Sequence, residues 1–163
     1  SGSRFRVYAN QDPLGVELGG TLKNVMAIAA GTCDGLGLGT NAKAALLTRG
    51  LAEIIRIGTH WGAQAETFYG LSGLGDILAT CNSPLSRNYQ VGYQLATGGK
   101  LPEILANLEG TAEGVNTTEV LIQAARLQGI YIPIAREVYR LLKGEITPGE
   151  AVRELMLRES KPE

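Results

Sequence analysis

Apolar residues recur at helical spacing through most of the chain. Residues 16–30 set Leu18, Leu22, Val25, Met26 and Ala29 on one stripe, the pattern of a helix with one buried face. Residues 41–57 repeat it with Ala44, Leu47, Leu51, Ile54 and Ile55. The opposite face carries Arg49, Glu53 and Arg56, with an i,i+4 ion pair expected between Arg49 and Glu53. Later helices mark their own ends. Ser83-Pro84 reads as N-cap then N1, and Gly98-Gly99 as a stop. Asn116 with Glu119 suggests a capping box, closed downstream by Gly129. Pro133 opens a helix to about Leu142. Thr147-Pro148-Gly149-Glu150 forms a second capping box, leading a helix to about Arg158. The pattern predicts seven or eight helices.

One segment breaks the pattern. Arg4–Tyr8 alternates polar and apolar residues, and a turn cluster with Asn10, Asp12 and Pro13 follows. It reads as a strand, yet no second strand is predicted. A lone strand cannot satisfy its own backbone groups. It therefore pairs with something outside this chain, or the chain is a piece of a larger protein.

Composition narrows the function. With 163 residues, 44% apolar and 19% charged, the chain can build one cored domain and is not disordered. A net charge of -1 argues against a nucleic-acid or membrane-surface partner. Cys33 and Cys81 form no metal-binding pair, and His60 is the one histidine, so no metal site is expected. The two thiols read as buried and inert. His60 near a helix C-terminus and Glu17 in a first turn are placed as helix dipoles favour, and neither is given a function. No apolar run approaches the roughly 20 residues of a membrane span. Ser1-Gly2-Ser3-Arg4 lacks signal-peptide character, so a cytoplasmic protein is expected.

Charge is unevenly spread. Residues 70–99 hold only Asp76 and Arg87, among many neutral hydrogen-bonding groups. Such a segment reads equally as the lining of a pocket or as a core helix with a polar rim. Lys23 is similar. Its helical neighbours Gly19, Gly20, Ala27 and Ala30 are small, so its amine rises from a nearly bare stripe. Partial desolvation there suits a proton donor or acceptor; the alternative is a lysine snorkelling at a helix seam. Gly70–Asp76 has the wrong order for a dinucleotide loop and reads as a tight turn aiming Asp76 into a cleft. Ser86, Arg87 and Asn88 at a helix start suit an oxyanion such as phosphate. The alternative is a structural Asp76–Arg87 ion pair.

Five segments together resemble one family: GVELGGTLKNVMAIAAG (15–31), NAKAALLTRGLAEI (41–54), GLSGLGDILATC (70–81), SRN (86–88) and AEGVNT (112–117). They are similar to the C-terminal domain of bacterial-type NAD(P)-dependent glycerol-3-phosphate dehydrogenase, over about residues 4–158. The spacings from Lys23 to Asp76, Asp76 to Arg87 and Arg87 to Glu113 fit the family pattern. Thr21 stands where the family usually has alanine, and Thr111-Ala112 where it more often has apolar residues such as valine.

The resemblance implies an all-α, multi-helix domain like the C-terminal domain of 6-phosphogluconate dehydrogenase-type enzymes, over residues 11–163. Residues 1–10 would be the remnant of the last strand and linker of an absent N-terminal Rossmann domain. It implies interconversion of dihydroxyacetone phosphate and sn-glycerol 3-phosphate, feeding glycerophospholipid synthesis, with NAD(P)H bound mainly by the absent domain. By resemblance, Lys23 is the catalytic proton donor and acceptor and Asn24 helps orient the substrate. Asp76, supported by Thr80, binds the Lys23 ammonium or the substrate hydroxyls. Ser86, Arg87 and Asn88 hold the phosphate, while Arg87, Thr111 and Glu113 reach the cofactor. The expected partners are the substrate and the chain's own Rossmann domain, and a homodimer is allowed. The fragment alone is expected to be inactive. The competing readings are a non-catalytic helical interaction or dimerisation module, and a related hydroxy-acid dehydrogenase domain.

Overall fold

The computed structural model describes residues 2–157. Among them the chain forms nine α-helices: α1 (Pro13–Gly35), α2 (Thr40–His60), α3 (Ala65–Tyr69), α4 (Asp76–Cys81), α5 (Arg87–Ala96), α6 (Leu101–Asn107), α7 (Glu113–Gln128), α8 (Pro133–Leu142) and α9 (Pro148–Met156). A single π-helical turn, Leu71–Gly75, joins α3 to α4. The all-α expectation holds, with more helices than the periodicity predicted. The only β pairing among the described residues is one antiparallel bridge, Gly2–Phe5. Phe5, Val7 and Tyr8 of the expected strand are exposed.

Helix α1 is the axle of the fold. Between Lys23 and Asp34 it carries no charge, and Val25–Cys33 is buried without interruption. A helix apolar on every side must be surrounded, and α2, α4, α5, α7 and α8 all pack on it. Its start is fixed by Asp12, the N-cap, whose Oδ1 accepts the Gly15 N–H. Asp12 Oδ2 also takes the Gln64 N–H and the Thr67 hydroxyl, tying the entrance of α3 to that of α1. Glu17, expected in a first turn, lies one turn further in, because the helix begins at Pro13.

α1 and α5 cross with their backbones in contact. A Cβ at Gly31 would overlap the Tyr89 carbonyl, and one at Gly92 would overlap the Ile28 carbonyl. Only glycine permits that approach. Around this crossing lies the core of Met26, Ile28, Ile54, Ile57, Phe68, Ile77 and Val91.

Three local features depart from expectation. Ser86, not Ser83, caps α5, its Oγ accepting the Tyr89 N–H, while Ser83 Oγ closes a short turn with the Leu85 N–H. α7 begins at Glu113, which puts Asn116 inside the helix rather than at its cap. The third is Glu53. It does not face solvent beside Arg49: it is 1% exposed, and its carboxylate accepts the N–H groups of Ile134 and Ala135. α8 starts at Pro133, and the N–H groups of its first turn have no partner within the helix; a carboxylate also suits the positive end of that helix dipole. The Thr147–Glu150 capping box and the Gly129 stop form as expected. Arg158, the expected end of the last helix, lies outside the described residues. The thiols of Cys33 and Cys81 are free and buried. Desolvation, the first cause in both, pushes their pKa values up, that of Cys81 to about 12.

Candidate active site

The π turn has a steric origin. A Cβ at Gly73 would overlap the Phe68 backbone, and one at Gly19 would overlap the Ser72 carbonyl. Glycines at both places let the turn lie directly on α1, one helical turn before Lys23. The chain then enters α4 with Asp76 as its first residue. Lys23 Nζ lies 2.6 Å from Asp76 Oδ2, and the two side chains are 21% and 34% exposed. The amine is thus neither snorkelling into bulk water nor sealed in a helix seam. Thr80, one turn along α4, is 3.4 Å from the other carboxylate oxygen, Asp76 Oδ1. The tight turn read from the sequence is this π turn, and it aims Asp76 at Lys23, with Arg87 elsewhere engaged.

α5 supplies the second part of the site. Ser86 Oγ accepts at the cap, which leaves its O–H free to donate. The exposed guanidinium of Arg87 rests against Gly110, whose φ of +95° and missing side chain leave room for it. Asn88 is buried, and its Oδ1 accepts the Gly114 N–H at 2.9 Å. A Cβ on Gly114 would lie 2.7 Å from both that oxygen and the Asn24 carbonyl. The start of α7 is therefore clasped between α1 and α5, with Glu113 and Thr111 exposed beside it. Asn24 itself bonds back to the Gly20 carbonyl of its own helix at 3.4 Å.

The fold so brings Lys23, Asp76 and Thr80 into one hydrogen-bonded group, and Arg87 and Asn88 into contact with the loop and helix start that carry Thr111 and Glu113. Of residues 70–99 only Gly73, Ile77, Cys81, Asn88, Val91 and Gly92 are buried, and Leu71, Leu78 and Leu85 are among the exposed, so scarce charge does not mark this segment as covered within the chain. No group of ligands able to hold a metal ion occurs among the described residues. No helix there is long and apolar enough to cross a membrane.

Sequence reasoning missed one cluster. Asp34 Oδ2 receives both the Lys43 ammonium and the Tyr89 hydroxyl, each at 2.6 Å. Asp34 and Lys43 are the only charges between Lys23 and Arg49. That isolation, astride the glycine-rich turn 35–39, was the available signal.

Residues 12–153 match the family described as NAD-dependent glycerol-3-phosphate dehydrogenase C-terminus. A glycerol-3-phosphate dehydrogenase [NAD(P)+] of Trichormus variabilis is 74% identical over 163 residues, covering 100% of this chain and 53% of that protein. The one from Gloeobacter violaceus is 61% identical over 160 residues, 98% of this chain and 52% of that protein. Among solved structures, glycerol-3-phosphate dehydrogenase from Coxiella burnetii superposes with a TM-score of 0.92 at 43% identity, covering 97% of this chain and 49% of that one. The Saccharomyces cerevisiae enzyme gives 0.87 at 29% identity, covering 97% of this chain and 46% of that one. The chain spans about half the length of the curated relatives it matches. With both its fold and its sequence matched to that half, the chain belongs to the NAD-dependent glycerol-3-phosphate dehydrogenase family and corresponds to its C-terminal domain.

Proposed function

We propose that this chain is the substrate-binding half, with the catalytic lysine, of an enzyme interconverting dihydroxyacetone phosphate and sn-glycerol 3-phosphate with NAD(P)(H). The observation that carries the reading is the Lys23–Asp76 contact at 2.6 Å, on a helix surface where Gly19 admits the π turn and Gly20 has nothing within 4 Å of where a Cβ would stand. A partly exposed lysine, its ammonium oriented by a carboxylate, is placed to meet a small carbonyl compound.

The residues fit a cofactor only at its edge. Among the described residues there is no strand to carry a dinucleotide loop, and Gly70–Gly75 is taken up by the π turn. Arg87, Thr111 and Glu113, all exposed, would touch it from one side. A bound nicotinamide supplies or accepts the hydride at carbon 2. In reduction, Lys23 polarises the C2 carbonyl oxygen and gives it a proton, leaving a neutral amine that regains its proton from solvent. Asp76 holds the ammonium at the donating angle, and Thr80 holds the second oxygen of that carboxylate. Arg87, the Ser86 hydroxyl, the Asn88 amide N–H and the first N–H groups of α5 bind the phosphate.

The rest of the reading follows from the missing half. The exposed Phe5, Val7 and Tyr8 belong to the last strand of an N-terminal Rossmann domain, whose sheet would pair them. The two free cysteines suit a reducing, cytoplasmic setting. The product would feed glycerophospholipid synthesis. A homodimer is compatible with this architecture.

The test is a coupled assay on the full-length protein containing this chain. NAD(P)H-dependent reduction of dihydroxyacetone phosphate is expected from it, and none from residues 1–163 alone. Failure of the full-length protein to reduce that substrate, or turnover by the isolated chain, overturns the reading.

A further inference from the structure

Three helix ends meet at Asp34. It sits in the last turn of α1, Lys43 in the first turn of α2 and Tyr89 in the first turn of α5. Its Oδ2 is 2.6 Å from both Lys43 Nζ and the Tyr89 hydroxyl, and the ammonium is 5.3 Å from the centre of the Tyr89 ring. Both charges oppose their own helices: an acid at a C-terminus and a base at an N-terminus each work against the macrodipole. Helix stability would not put them there. Their pairing offsets the cost and leaves the cluster without net charge, so it neither attracts nor repels an anion by itself.

Tyr89 directly follows Arg87 and Asn88. The glycine contacts between α1 and α5 fix how closely the helices approach and which faces meet, with the Tyr89 carbonyl itself lying against Gly31; the Tyr89 side chain adds a second tie on the same turn. A hydrogen bond to a carboxylate is directional. It acts at the end of α5 where Arg87 and the free N–H groups lie. We infer that Tyr89, held by Asp34 and Lys43, is a positioning residue that secures the first turn of α5 against local displacement and so keeps Arg87 and its neighbouring donors aimed at the phosphate of the substrate. The inference rests on the proposed role of that turn in holding phosphate. Desolvation first, then the bond to Asp34, pushes the Tyr89 hydroxyl up to about 12, so it stays a donor at assay pH. The ring stacks on Tyr93 at 6.2 Å, which keeps it in place when only the hydroxyl is removed.

The test uses the full-length protein with Tyr89→Phe. Tyr89→Phe is expected to raise KM for dihydroxyacetone phosphate about fivefold with kcat within about twofold. It should leave kcat/KM for unphosphorylated dihydroxyacetone unchanged. Calorimetry with inorganic phosphate should show a matching loss of affinity. An unchanged KM and unchanged phosphate affinity would overturn the inference, as would an equal loss with both substrates, which marks general loosening of the fold. If the wild-type enzyme does not reduce dihydroxyacetone phosphate, the functional reading falls. The phosphate titration still decides the positioning role.

Discussion

Lys23 and Asp76 are 53 residues apart in sequence and 2.6 Å apart in the fold. Their meeting depends on a turn that bends back over α1 because glycines remove the side chains that would hold it away. The carboxylate's second oxygen is turned to Thr80, so Asp76 is oriented from both sides and its partner amine is fixed with it.

In the full-length protein, on the proposed activity, Lys23→Ala is expected to lower kcat at least 100-fold, about the lower bound of a general acid's contribution, with KM changed far less. Asp76→Asn keeps the shape but removes the charge that orients the amine, and should lower kcat by about tenfold or more. Steady-state kinetics of both variants check this. Near-normal turnover of Lys23→Ala would remove the lysine from the mechanism.

Glu53 links α2 to the start of α8 from a site closed to water. Truncation to alanine leaves two buried N–H groups without acceptors. Glu53→Ala is expected to destabilise the fold by about 2–4 kcal/mol, from the usual cost of stranding buried donors. Glu53→Gln, which keeps one acceptor oxygen, should cost less. Urea unfolding of the two variants beside wild type gives the comparison.

Glycines at different places should respond in opposite ways. Gly92→Ala drives a methyl group into the Ile28 carbonyl, and either abolishes folding or destabilises by more than about 3 kcal/mol. Gly149, in the first turn of α9, has nothing within 4 Å of where a Cβ would stand. Gly149→Ala should stabilise by about 0.5 kcal/mol through the lower entropy of the unfolded chain. Thermal melts distinguish the two.

Asp12 makes part of the stability depend on acid. The Gln64 N–H first, then the Gly15 N–H and the Thr67 hydroxyl, hold its carboxyl below the usual carboxylate range. A depressed pKa contributes stability that is fully present above the unfolded value, about 3.9, and lost as pH falls through the lower folded value. Asp12→Ala should therefore be less stable near neutrality and show a shallower further loss on acidification. Denaturation midpoints from neutral pH down to about pH 3 measure this. An unchanged slope would contradict it.

Cys33 and Cys81 should be unreactive in the native protein, since both are buried and their thiolates disfavoured. Alkylation by iodoacetamide at mildly alkaline pH is expected to label neither until denaturant is added.

Much of the fold could be read from the chain because the information is local. The stripe from Leu18 to Ala29, the Pro133 start and the Thr147–Glu150 box each depend on a few neighbours in sequence. Errors arose where tertiary partners decide. Glu53 reads as a surface acid until α8 is placed beside it, and nothing near position 53 announces that. Asn116 has the right neighbours for a cap, but α7 starts earlier, where Gly114 can fit between Asn24 and Asn88. The isolation of Lys23, Asp76 and Arg87 among uncharged residues marked them as candidates, whereas the choice of Lys23 rather than Arg87 as the partner of Asp76 is a property of the π turn. Asp34, Lys43 and Tyr89 come from three separate elements and converge only in space.

The backbone crossing of α1 and α5 also bears on redesign. Where carbonyl oxygens of one rod rest on the bare α-carbons of the other, there is no intervening layer whose thickness could be tuned by larger or smaller side chains. An engineer wishing to enlarge the proposed site cannot spread these two helices apart. Adaptation would have to come from the rim, at positions such as Thr80 or the loop bearing Gly110, while the frame stays as it is.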